Sequence, residues 1–187
     1  TDHWTSRFAR DFGLYVVANH GIALGDVNGV RLDDLYVCLP GGLPNRLFLR
    51  QKDGSLKDIT KSSNTCWLDY CASALILDFD NDGDKDIAIS QNFKILFMDN
   101  IGDLKFELAL GLGTHAQTFS ISSADYDNDG DLDLFLCGYN PPSGPESESG
   151  IMGEPMPYHD AKNGGKNKML RNDGNWNFTE VTEECGL

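Results

Sequence analysis

Asp125-Tyr126-Asp127-Asn128-Asp129-Gly130-Asp131-Leu132-Asp133, running directly into Leu134-Phe135-Leu136-Cys137, decides how the rest of the chain is read. Carboxylates occupy positions 1, 3, 5, 7 and 9 of these nine residues, and glycine stands at position 6. So many like charges in so short a segment repel one another unless a counter-ion intervenes. A hard divalent cation answers that need, and calcium suits it best because it accepts several oxygen ligands in a flexible geometry. The pattern stands earlier as Asp78-Phe79-Asp80-Asn81-Asp82-Gly83-Asp84-Lys85-Asp86, leading into Ile87-Ala88-Ile89. Two copies make this a repeat protein.

A weaker copy opens at Asp26, as Asp26-Val27-Asn28-Gly29-Val30-Arg31-Leu32-Asp33-Asp34 before Leu35-Tyr36-Val37-Cys38. Asp26 and Asp78 are 52 residues apart, and Asp78 and Asp125 are 47 apart. A second block follows each loop: Asn45 to Arg50, Lys94 to Asp99, and Asn167 to Asn172. A third comes after a turn: Leu56 to Thr60, Leu104 to Leu108, and Phe178 to Thr182. Gly13-Leu14, Gly111-Leu112 and Gly186-Leu187 punctuate the units.

Each unit therefore reads as four short strands. One precedes the acidic loop (Ala74 to Leu77, Ile121 to Ala124), one follows it, and two form an outer hairpin. The strand after the loop is apolar at consecutive positions, which suits burial on both faces. The last strand alternates, as in Phe178-Thr179-Glu180-Val181-Thr182, which suits one wet face. Asp53-Gly54, Gly102-Asp103 and Asp173-Gly174 lie where the outer hairpin must turn. No amphipathic helix is evident. The expected fold is all-β: about three four-stranded antiparallel β-propeller blades, belonging to a larger propeller. The units are placed at about residues 15–65, 66–112 and 113–187, as one propeller segment covering 1–187. Residues 138–166, rich in Pro, Gly, Ser and Glu, lengthen the third unit and read as a surface loop between its second and third strands.

Composition narrows the functional classes. Hydrophobic residues make up 40%, enough for a core, and the net charge is −14. That sign argues against nucleic acid and anionic membrane surfaces. The two full loops hold ten of the 29 acidic residues, and two calcium ions would bring −14 to −10. No apolar stretch approaches a membrane span, so membrane insertion is not expected. The chain opens on Thr1 rather than methionine, which reads as an excised or processed segment. Among five cysteines, Cys66 and Cys71 are close enough in sequence to bridge a small loop. Cys38 and Cys137 sit where the second copy has Ser90, as small packed strand residues. No CxxC pair supports a zinc site.

Positions 1, 3, 5 and 9 are expected to turn their carboxylates inward: Asp78, Asp80, Asp82 and Asp86 in one loop, Asp125, Asp127, Asp129 and Asp133 in the other. Asp84 and Asp131, at position 7, are expected to offer backbone carbonyls. An EF-hand also begins D-x-D-x-D-G, but it needs a bidentate glutamate at position 12 between helices. Ile89 and Leu136 stand there, inside strands. The glycine-rich nonapeptide of calcium-binding β-helices is absent too.

Ala124 to Leu134, with the downstream blocks Asn167 to Asn172 and Phe178 to Leu187, resembles the FG-GAP/VCBS repeats of integrin-α-type propellers. It looks particularly like the proteins that carry such repeats beside an ASPIC/UnbV segment. The resemblance covers nearly everything except 138–166. It implies that the D-x-D-x-D-G-x-x-D loop joins the first and second strands of a blade and binds calcium, here about two ions. It also implies a propeller closed by about seven blades, so three would be completed by remaining blades of a parent chain or by self-association. The first loop departs from the pattern. Val30 replaces the third aspartate and Arg31 the glycine; Asp26, Asn28 and Asp34 survive as a degenerate site expected to bind calcium weakly or not at all.

No catalytic constellation is present: there is no GxSxG, HExxH, P-loop or dinucleotide fingerprint. His3, His20, His115 and His159 occupy unrelated places in the repeats, and the sequon Asn177-Phe178-Thr179 falls at a strand start. The expectation is a non-enzymatic, calcium-stabilised module that binds protein or carbohydrate in an extracellular, periplasmic or cell-surface setting. The rival is part of a propeller enzyme such as a calcium-dependent polysaccharide lyase.

Overall fold

A computed structural model describes residues 21–39, 43–91, 93–139 and 165–187. His3, His20, His159, Gly13-Leu14 and most of the 138–166 insertion lie outside the described residues. The described chain is all strand and turn, without a helix. The first sheet contains Ile22–Gly25 (β1), Asp34–Val37 (β2), Arg46–Arg50 (β3) and Leu56–Asp58 (β4). The second contains Cys71–Leu77 (β5), Asp86–Gln91 (β6), Lys94–Asn100 (β7) and Phe106–Gly113 (β8). The third contains Thr118–Ala124 (β9), Asp133–Gly138 (β10), Lys168–Asn172 (β11) and Phe178–Glu180 (β12). Each sheet is antiparallel with its strands in chain order, so each is one four-stranded propeller blade. The first strands β1, β5 and β9 lie side by side.

Burial follows the apolar pattern. In β6 all six residues are buried, because this strand has a blade on either side. Ile87, Ile89 and Met98 face the first blade and meet Tyr36, Cys38, Leu47 and Leu49. Ala88, Ile95 and Phe97 face the third and meet Ile121, Leu134, Leu136 and Leu170. At the second interface Phe97 stacks on Phe178, with centroids 4.6 Å apart, and meets Phe79 edge-on at 5.3 Å. Such contacts add to burial about 0.5–1.5 kcal/mol each. On the first sheet the apolar side chains of Ile22 and Leu24 are each 63% exposed, with none of the described residues packed over them.

The structure sharpens two sequence readings. The Gly102-Asp103 and Asp173-Gly174 pairs do lie where the outer hairpins turn, and positive φ runs on past the glycine of each, over Gly102-Asp103-Leu104 and Gly174-Asn175-Trp176. Leu104 and Trp176 tolerate that backbone because each packs its side chain into the core shared with the preceding blade. Cys66 and Cys71 do not bridge. Cys66 is exposed, whereas Cys71 is buried and hydrogen-bonded to Asn45 and to the Asp69 carbonyl. Cys38 is fully buried, which pushes its thiol up to about 12.

The base of the long insertion is closed like the second-to-third-strand connection of the first blade. Asn167 Oδ1 accepts the Gly138 N–H at 3.1 Å, as Asn45 Oδ1 accepts the Leu39 N–H at 2.8 Å in the first blade. Thr60 and Thr182 cap the third strands in parallel fashion, accepting the N–H of Leu47 and of Met169.

Candidate metal centres

All three acidic loops join the first strand of a blade to the second, at the same end of the sheets. They share one backbone. Positions 4 and 6 have positive φ in every copy: Gly29 (71°) and Arg31 (63°), Asn81 (62°) and Gly83 (99°), Asn128 (62°) and Gly130 (100°). The position-1 carboxylate accepts the position-6 N–H in every copy, from Arg31 at 2.6 Å and from Gly83 and Gly130 at 3.1 Å each. Glycine is the residue that adopts such a φ without strain, so Arg31 holds the shape at a conformational cost.

Position 9 is a clamp as much as a ligand candidate. Asp34, Asp86 and Asp133 are completely buried, and both oxygens of each accept backbone N–H groups. One oxygen takes position 2 of the loop: Val27, Phe79 and Tyr126, at 3.0, 2.9 and 2.8 Å. The other takes the end of the third strand: Arg50, Asn100 and Asn172, at 2.9, 3.0 and 2.9 Å. Burial raises the Asp34 carboxyl, and lifts that of Asp86 to about 7 against the opposing pull of its two N–H partners.

Around this clamp the structure gathers the remaining carboxylates unevenly. In the second loop Asp78, Asp80 and Asp86 each bring an oxygen within 4.8 Å of the others. In the third loop Asp125, Asp127 and Asp133 do the same. Asp82 joins a further cluster with Asp80 and Asp99, the last lying on β7 outside the loop. Asp129 accepts the Asp131 N–H, Asp131 accepts from Asn81 Nδ2 at 2.5 Å, and Asp84 borders a cleft of about 430 Å³ beside Asn28 and Asn100. These three stand outside the clusters. In the first loop, Asp26 spends its oxygens on the N–H groups of Asn28, Val30 and Arg31, and Asn28 accepts from Val30. Neither Asp26 nor Asp34 joins an acidic cluster among the described residues.

One atom tests whether a cation fits. Asp78 Oδ1 is buried and has no hydrogen-bond partner, while Asp78 Oδ2 already holds the Gly83 N–H. A buried carboxylate oxygen left without a donor costs about 1–3 kcal/mol or more. A hard cation is a partner that such an oxygen could take. Partial desolvation, then neighbouring carboxylates, raise Asp80 and Asp99 as well. The residues present therefore suit a hard cation with oxygen ligands.

Sequence reading missed the residues that tie one loop to the next blade. Asn100 Nδ2 donates across the interface to Val27 O in the first loop at 3.0 Å, and to Lys85 O in its own at 3.2 Å. Asn172 Nδ2 repeats this, to Phe79 O at 2.8 Å and Leu132 O at 3.3 Å. Their Oδ1 atoms accept from Gly102 and Gly174. The signal that could have found them is the recurrence of Asn-x-Gly at Asn100-Ile101-Gly102 and Asn172-Asp173-Gly174.

Blades with an acidic loop between first and second strands, latched edge to edge by a buried asparagine, define a β-propeller repeat module. The FG-GAP-like repeat family model matches residues 26–89 and 78–136, and the chain belongs to that family. Each match begins at an acidic loop and ends inside the second strand of the following blade, so the sequence repeat straddles the structural one. No curated protein matches the chain.

Proposed function

We propose that this chain is a calcium-stabilised propeller module that binds a protein or carbohydrate outside the cytoplasm and does not act as an enzyme. The observation that carries the calcium reading is the partnerless, buried Asp78 Oδ1 within a set of converging carboxylates. Asp78, Asp80, Asp82 and Asp86 would hold one ion, and Asp125, Asp127, Asp129 and Asp133 a second. Bound calcium supplies positive charge that offsets the repulsion within each loop. The chain's own part is to pre-shape the loop through its positive-φ positions and the position-9 clamp, so little ordering remains on binding. An extracytoplasmic setting fits, because calcium there, on the order of millimolar, fills even weak sites.

The test is thermal melting with excess calcium and with EDTA. At a hundredfold excess over Kd each ion adds about 2.7 kcal/mol, so two should raise the melting temperature by roughly 10–20 °C. Coincident melts would overturn the calcium reading. Arrays of extracellular proteins and of acidic and neutral glycans, screened with calcium, should yield a bound partner without product release. Glycan cleavage abolished by EDTA would overturn the non-enzymatic part and favour the lyase reading.

A further inference from the structure

Resting on the calcium reading, we propose that Asp99 supplies a further carboxylate to the cation of the Asp78 loop, whereas Arg171 weakens the Asp125 loop, so that the two sites differ in affinity.

Asp99 and Arg171 occupy the same register. Each immediately precedes the third-strand residue, Asn100 or Asn172, whose N–H the buried position-9 aspartate accepts. The first blade has the buried Leu49 at this place, just before Arg50. One structural position thus carries an anion, a cation and an alkyl group in three blades.

Its surroundings differ accordingly. An Asp99 oxygen lies within 4.8 Å of oxygens from Asp80 and Asp82, and Asp80 also belongs to the cluster with Asp78 and Asp86. Asp80 therefore joins the loop triad to the strand carboxylate, and Asp78, whose buried Oδ1 has no partner, is a member of that triad. Glu107 stands opposite Asp99 on β8 and adds negative charge. None of the ion pairs among the described residues involves Asp99. Arg171 instead pairs with Asp173 at 2.7 Å and, next to the Asn172 whose N–H Asp133 holds, brings a guanidinium to the strand clamped to the Asp125 loop. Calcium sites are tuned by the number of charged ligands. One more carboxylate on one side and a guanidinium on the other move the two sites apart.

The experiment is calorimetric calcium titration of the full chain in single-loop backgrounds. Asp129→Ala isolates the second loop, and there Asp99→Asn should weaken calcium on the order of tenfold. Asp82→Ala isolates the third loop, and there Arg171→Asp should tighten calcium by a similar factor, while Asp99→Asn should change nothing. Unchanged affinity in both the Asp99→Asn and the Arg171→Asp arms would overturn the proposal while leaving two calcium sites standing. A wild-type chain that takes up no calcium would instead overturn the calcium reading beneath it. Should Asp99→Asn fail to fold in EDTA, the Arg171→Asp arm decides alone, and an unchanged third-loop affinity there would overturn the proposal.

Discussion

The loops 26–34 and 78–86 fold alike and differ in the carboxylates they gather. Both have positive φ at positions 4 and 6, a position-1 carboxylate that accepts the position-6 N–H, and a buried position-9 aspartate holding two strands. Only the second gathers carboxylates and leaves one buried oxygen without a donor. Loop shape and carboxylate clustering are therefore separable. The clamp preserves the shape even where Val30 and Arg31 have replaced an aspartate and a glycine. A degenerate repeat can thus remain a sound blade.

Substitution at position 9 separates the two roles most sharply. Asp86→Ala leaves two buried N–H groups without an acceptor, and Asp34→Ala one buried and one part-buried, so in EDTA they should cost about 2–5 and about 1–4 kcal/mol by denaturant unfolding. With calcium present, only Asp86→Ala should cost an added increment of about 2.7 kcal/mol at hundredfold excess. Equal costs with and without calcium for both variants would break the distinction.

The latch comes next in size. Asn172→Ala deprives the Phe79 and Leu132 carbonyls of a buried donor and should cost about 2–3 kcal/mol. Arg50→Ala, at the corresponding place in the first blade, is exposed there and should change stability by less than about 0.5 kcal/mol. Equal effects would mean that the asparagine is not what joins the blades. Smallest is Arg31→Gly, which relieves a positive φ on a residue that resists it. A gain of about 0.5–1 kcal/mol is expected, with no calcium site created, because Val30 still replaces the third aspartate. Melting curves in EDTA and in calcium would check both halves.

Much of this was legible in sequence, and the exceptions share a cause. The loops, the four strands of each blade and the fall of Asn45, Thr60, Asn167 and Thr182 into repeating blocks all follow local patterns. Asp99 and Asn100 escaped because their partners are remote. Asn100 bonds to Val27, 73 residues away, and Asn172 to Phe79, 93 residues away. The clamp at position 9 was read only as a ligand, since its backbone donors carry no residue identity. Glycine signalled the positive φ of Gly102 and Gly174, but nothing local marked Leu104 and Trp176, which take it too and pack into the inter-blade cores. Sequence proximity left a Cys66–Cys71 bridge open, because it says nothing of where the side chains point.

The separation of shape from cation binding is tested most directly by counting ions. Calcium titration of the wild-type chain should give a stoichiometry of about two, falling by one ion in Asp82→Ala and in Asp129→Ala and unmoved in Asp26→Ala. A stoichiometry that falls in Asp26→Ala, or that survives Asp82→Ala and Asp129→Ala together, would contradict the account.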